Sequence, residues 1–260
     1  PSERNFYLTF GAAPRFVGKA FLNLTENERQ EAYNLRPGFD PSAWTVDQTC
    51  RILLMLNLPH HDPGTFVDTL KKLFETAEMD ELVALYASLP LLPYPQKHLA
   101  RASEGIRTNI AKVFDAVALQ NPYPKEYFEE GAWNQMVLKA IFMDRPIYKI
   151  QGLSERANPK LTQMLSDFAH ERWAAGRTTS PELWRPVGAQ VNINIMEDLK
   201  KLFQDPDVMQ RQAAALVCHQ TELAEAKELL KEHADLQNEI ATSGLTWDNL
   251  AIRYWRTKSD

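Results

Sequence analysis

The segment FVDTLKKLFETAEMDELVALYASL, residues 66–89, decides the fold class. Its first half sets Phe66, Leu70, Leu73 and Phe74 at i, i+4, i+7 and i+8, one stripe of a 3.6-residue period. An acidic turn follows (Glu75 to Asp80), and DELVALYASL reads as the returning helix. The pentapeptide LKKLF recurs at Leu199 to Phe203, again before an acidic turn (Asp205-Pro206-Asp207) and an alanine-rich apolar helix, AAALVCH. A repeated helix–acidic turn–helix predicts stacked helical hairpins, a HEAT-like α-solenoid or superhelix. No segment sustains the alternation of period two that a half-buried strand needs, so the class is all-α.

Upstream, Glu26 to Leu35 reads as a helix, with Thr25 as N-cap and Glu28 as capping-box partner. Arg36-Pro37-Gly38 ends it. The apolar density of Trp44, Val46, Cys50, Ile52, Leu53 and Leu54 marks a central element. Pro1 to Gly18 reads as an extended arm or a short helix. Downstream, prolines 90, 93 and 95 break the chain. Ala100 to Leu119 reads as one long helix. After the turn Asn121-Pro122-Tyr123-Pro124 another is expected from about Glu126 to Phe142, and a third from Lys160 to Ala175, ended by Gly176. Ser180-Pro181-Glu182 opens a short one by the N-cap and proline-at-N1 rule.

A chain of 260 residues with 44% hydrophobic content can bury a full core. Only 10 glycines against 16 prolines disfavour Gly-rich phosphate loops. A net charge of −5 gives no nucleic-acid surface. No apolar run approaches the roughly 20 residues of a spanning helix, and the first residues lack the pattern of a signal peptide. Cys50 and Cys218 are expected to be buried, reduced thiols. A soluble cytoplasmic protein without direct membrane insertion is the expectation.

No P-loop, GxGxxG, CxxC, HExxH or GxSxG occurs. His60-His61-Asp62 has metal-ligand residue types, but adjacent histidines in a proline-flanked turn ordinarily face solvent. Neither a metal nor a cofactor is expected. The polar residues of interest cluster between Lys97 and Gly188. Arg107 has the planar fork for a carboxylate or phosphate; its ordinary role would be to pair with Glu104, three residues before, with Asn109 and Lys112 continuing the helix. Tyr123 sits between prolines that would hold it outward. Asn134 and Gln135 are amides inside a packing helix, and buried amides must be hydrogen-bonded, to a ligand or to the nearby turn. His170, Glu171 and Arg172 offer acid/base groups, although a salt-bridge network is the more ordinary explanation. Trp173 and Trp184 flank a Gly-Arg-Thr-Thr-Ser-Pro turn and read as core.

The segments RASEGIRTNIAKVFDAVALQNPYP, AWNQMVLKAIF, QGLSERANPKL and FAHERWAAGRTTSPELWRPVG resemble the EboA family. FYLTFGAAPR, RPGFDPSAWTVDQTCRILLML and TAEMDELVALYASLPLLPYP extend the resemblance over about residues 6–188. It implies a bacterial protein encoded with enzymes of small-molecule metabolism and associated with moving a metabolite or its precursor out of the cytoplasm. It implies no catalytic residue. The expected layout is an EboA-like domain over 1–188 and a C-terminal helical extension over 189–260 packed on the same solenoid. The expected function is a non-catalytic carrier or scaffold that binds a small-molecule metabolite or proteins of the same gene cluster. Glu104, Arg107, Asn109, Tyr123, Asn134, Arg156 and His170 would line its concave groove. The alternative is a metal-free enzyme of that pathway, with Glu104 or Glu171 as acid/base and Arg107 or Arg172 holding an anionic substrate.

Overall fold

A computed structural model describes residues 3–242 and 244–259; Pro1 and Ser2, part of the expected N-terminal segment, lie outside them. Among the described residues the chain is all-α, and its only extended pairing is an isolated antiparallel bridge between Phe21 and Thr45. No described helix is long and apolar enough to cross a membrane. The chain forms two compact units, Pro1–Trp133 and Asn134–Asp260.

The first unit contains α1 (Glu3–Val17), α2 (Glu26–Leu35), α3 (Val46–Leu56), α4 (Pro63–Thr76), α5 (Met79–Ala87), α6 (Leu99–Arg107), α7 (Ala111–Ala118) and α8 (Tyr123–Tyr127). Helix α9 (Glu130–Phe142) spans the division. The N-terminal segment is thus a helix, and its Phe6, Phe10 and Ala13 are buried. Packing runs from α1 to α3, α3 to α5, α5 to α7 and α7 to α6. The capping box at α2 forms as its sequence requires: the Glu28 amide donates to Thr25 Oγ1 and the Thr25 amide donates to Glu28 Oε2.

The central helix α3 buries a face that its apolar residues do not mark. Asp47, Gln48 and Arg51 are buried beside Ile52 and Met55, while Leu53 is exposed. The reason lies in α1. Pro14 sits inside that helix and has no N–H to donate to the Phe10 carbonyl four residues earlier. Arg51 Nε donates to that carbonyl at 3.1 Å, and Arg51 Nη1 reaches Asp47 Oδ2 at 2.6 Å. Thr45 Oγ1 donates to the other Asp47 oxygen at 2.7 Å. A buried ion pair therefore supplies the donor that the proline inside α1 cannot give.

Two expected helices are interrupted. Ala100 to Leu119 is α6 and α7, because Thr108 is extended and its hydroxyl accepts the Ile110 N–H at 3.1 Å, a local bond that competes with the helix. The expected helix after the proline turn is α8 and α9, separated by extended Phe128.

The second unit contains most of α9, the short 3₁₀ segments Ile147–Lys149 and Pro181–Gln190, and six further helices. These are α10 (Pro159–Ala174), α11 (Ile195–Phe203), α12 (Val208–Gln220), α13 (Ala224–Lys231), α14 (Ala234–Ala241) and α15 (Trp247–Ser259). Gly176 follows α10 at φ +66°, the left-handed geometry expected of a helix stop. Segment Pro181–Gln190 is the hub: α10, α12 and α15 all pack on it. Its Ser180 cap and proline at N1 form as expected.

Both LKKLF motifs fall on helices, α4 and α11, each followed by a turn and a second helix. Their packing differs: α11 lies directly on α12, whereas α5 packs chiefly on α3 and α7.

Candidate functional site

The residues singled out by sequence divide between the two units, with Glu104, Arg107, Asn109 and Tyr123 in the first and Asn134, Arg156 and His170 in the second. In the first unit, Glu104 pairs with Arg101, Nη1 to Oε2 at 2.7 Å. Arg107 is the last residue of α6, where a cation meets the negative end of the helix dipole. Because α6 stops there, Asn109 lies in the connection and does not continue the helix face. All three are exposed.

Tyr123 corrects the expectation of an outward tyrosine. It is fully buried, and its hydroxyl donates to the Pro95 carbonyl at 2.6 Å. Asn121 holds the turn: its Oδ1 accepts the Tyr123 amide at 2.9 Å, and its amide group donates to the Ala116 carbonyl at 2.8 Å. Burial pushes the Tyr123 hydroxyl well above its ordinary range.

In the second unit, Asn134 is 2% exposed and forms a reciprocal amide pair with Asn158. Asn134 Nδ2 donates to Asn158 Oδ1 at 3.0 Å, and Asn158 Nδ2 returns a bond to Asn134 Oδ1 at 2.8 Å. Asn158 Oδ1 also accepts the Leu161 amide at 2.9 Å as N-cap of α10. Through this pair Asn134 fastens α9 to the start of α10. Arg156, half-buried, lies just before that cap.

His170 is the expected residue with the most exposed chemistry. Its side chain is 55% exposed, yet Nε2 lies 2.5 Å from Asp198 Oδ1, whose carboxylate is 4% exposed. The second Asp198 oxygen accepts the Ser166 hydroxyl at 2.6 Å. With Nε2–H engaged, Nδ1 is the ring nitrogen left to act as acceptor in the neutral imidazole. This is not a serine-nucleophile triad. The serine donates to the carboxylate instead of to the imidazole, and so has no base to activate it.

An aromatic row adjoins His170. Its ring lies 5.6 Å from Trp173, which stacks on fully buried Trp184 at 5.9 Å and 22°. Exposed Lys201 of α11 holds its ammonium 4.1 Å from the Trp173 ring centre, a cation–π contact. His170, Trp173 and Lys201 thus form a ledge with one flat apolar face, one fixed cation and one polarised imidazole, floored by Trp184 and Asp198. Trp184 is core, as sequence suggested; Trp173 is half-buried and belongs to this ledge.

Sequence reading missed Asp198, Ser166 and Lys201. Ser166 and His170 are i and i+4 on α10, and Asp198 and Lys201 are i and i+3 on α11, so each pair was legible as one helix face. Only the packing of α10 and α11 brings the faces together.

Elsewhere, His60 and His61 stack at 5.9 Å, and Asp62 caps α4 by accepting the Thr65 amide at 2.8 Å. Cys218 is buried, which pushes its thiol up to about 12, while Cys50 is half-buried.

No curated protein and no solved structure matches the chain. A family model described as "Metabolite traffic protein EboA" matches residues 1–188, which include α10 and end within the hub segment, before the helix that carries Asp198 and Lys201. The chain belongs to the EboA family.

Proposed function

We propose that the chain is a non-catalytic carrier or scaffold in metabolite traffic, acting in the cytoplasm. It binds an acidic, partly apolar small molecule on the ledge formed by His170, Trp173 and Lys201. The observation that carries this reading is the ledge itself. A half-buried indole supplies an apolar face, the Lys201 ammonium an anion partner, and His170 a polar contact with its orientation fixed by Asp198. Membership of a family described by metabolite traffic supports it. Exposed Glu104, Arg107 and Asn109 of the first unit are the polar groups through which a pathway protein would dock. Tyr123 fixes the turn after α7 in the first unit, and Asn134 fastens α9 to α10 in the second.

Native mass spectrometry of the full chain, purified from cells that also express the pathway enzymes, tests this. A bound small-molecule mass, or a pathway enzyme held in stoichiometric complex, is the expected result. Recovery of neither under native expression would refute it.

The His170–Asp198 dyad favours a second reading, an enzyme of the same pathway with His170 as general base. Turnover of a metabolite extract that disappears in His170→Gln would establish it.

A further inference from the structure

The hub segment holds a buried carboxylate. Glu182 is 1% exposed and lies on Pro181–Gln190. Its Oε1 accepts the Tyr148 backbone amide at 3.0 Å, and its Oε2 accepts the indole N–H of Trp255, on α15. Both donors are neutral. The nearby cation, Arg185, has Nη1 2.8 Å from Asp248 of α15, an ion pair by distance, while its buried Nε and Nη1 make no hydrogen bond. The anion therefore sits in a low-dielectric junction without a cation hydrogen-bonded to it, and α15 is the helix that closes that junction.

We propose that Glu182 is a proton-controlled latch for α15: the acid form favours the docked helix, and loss of the proton loosens it. The charges that bear on the carboxyl are Arg185 on its own segment and Asp248 on α15. Tyr148 and Lys149 come from Ile147–Lys149; Arg253, Tyr254 and Lys258 come from α15; α10 brings Asp167, His170, Glu171 and Arg172; α12 brings Arg211 and His219. Several of these have partners elsewhere: Lys258 with Asp144, His170 with Asp198, Arg172 with the Thr178 carbonyl, and Arg211 with the Asp205 carbonyl.

The sign follows from where the carboxylate goes when α15 leaves. Burial pushes the docked carboxyl up to about 7, against the lowering effect of the Trp255 and Tyr148 N–H groups and of Arg185. In water it returns to the ordinary glutamate value of 4.5. Docking thus binds a proton between those values. Its stabilisation is complete below the lower one and is lost as pH rises through the upper. Those two values make the opening of α15 about tenfold more favourable at pH 8 than at pH 6.

Hydrogen exchange of the full-length chain reads this directly, with α15 amides compared at pH 6 and pH 8 after correction for the intrinsic rate. The expected result is a rise of about tenfold in α15 opening for the wild type. Glu182→Gln keeps the shape and removes the titrating group; its amide nitrogen cannot accept from one of the two N–H donors, so opening rises at both pH values but should be flat across that range. A flat wild-type response, or an equal response in Glu182→Gln, would overturn the proposal. If Glu182→Gln does not fold, titration of the ¹³C-labelled Glu182 carboxyl in the wild type decides. A midpoint near 7 that coincides with the α15 exchange midpoint supports the latch, and one near 4.5 overturns it.

Discussion

Replacing Arg51 by methionine tests why the first unit is built as it is. The side chain is 3% exposed and holds two partners, the Asp47 carboxylate on its own helix and the Phe10 carbonyl that Pro14 leaves without a donor. Arg51→Met strands a buried carboxylate, and breaking such a pair from one side costs about 3–5 kcal/mol. Removing the charge from both sides, Asp47→Leu with Arg51→Met, leaves the Phe10 carbonyl without its donor and the half-buried Thr45 hydroxyl without its acceptor. That costs about 1–3 kcal/mol. Adding Pro14→Ala returns an N–H to that carbonyl, so the triple variant should recover most of this remainder. Urea unfolding monitored by circular dichroism, fitted for the transition that contains the first unit, gives all three values. The reasoning fails if the double variant is as unstable as the single one, or if Pro14→Ala brings no recovery in the double background.

Other substitutions probe the remaining joints. In Gly105→Ala a Cβ would stand 2.7 Å from both Tyr86 Cε1 and Val117 Cγ2; this crowding should cost about 1–3 kcal/mol and lower the melting temperature. Asn158→Ala removes the cap of α10, worth about 1 kcal/mol, and also strands the buried Asn134 amide, for a further 1–3 kcal/mol or so. A matched Asn134→Ala in that background should add little, as a double-mutant cycle would show. Cys218, buried and with its thiol pushed up to about 12, should resist Ellman's reagent in the native protein at pH 8 and react once urea unfolds it.

Local chemistry was the legible part of the fold. The Thr25–Glu28 capping box, the Ser180-Pro181 start and the Gly176 stop depend on neighbours a few residues away, and they appear where their residues stand. The break of the helix at Thr108 was carried by an equally local signal, a hydroxyl able to bond the backbone two residues on, which the apolar periodicity concealed. Burial of Tyr123 depends on the Pro95 carbonyl, 28 residues away, and proline flanks say nothing of such a partner. The polar face of α3 is intelligible only once the Phe10 carbonyl, which Pro14 leaves without a donor, is known to lie against it. The candidate site divides in the same way. His170 was recognisable by type, but its partner is 28 residues on, and the partner of Glu182 is 73 residues on.

The most direct test of the account is non-denaturing mass spectrometry of the wild-type chain and of Trp173→Leu/Lys201→Met, each incubated with metabolite extract from cells that express the pathway. The account predicts a small-molecule mass on the wild type that is absent from the variant and is released unchanged after prolonged incubation. A bound mass that the variant retains would contradict the ledge, and a bound mass released as a different product would contradict the carrier.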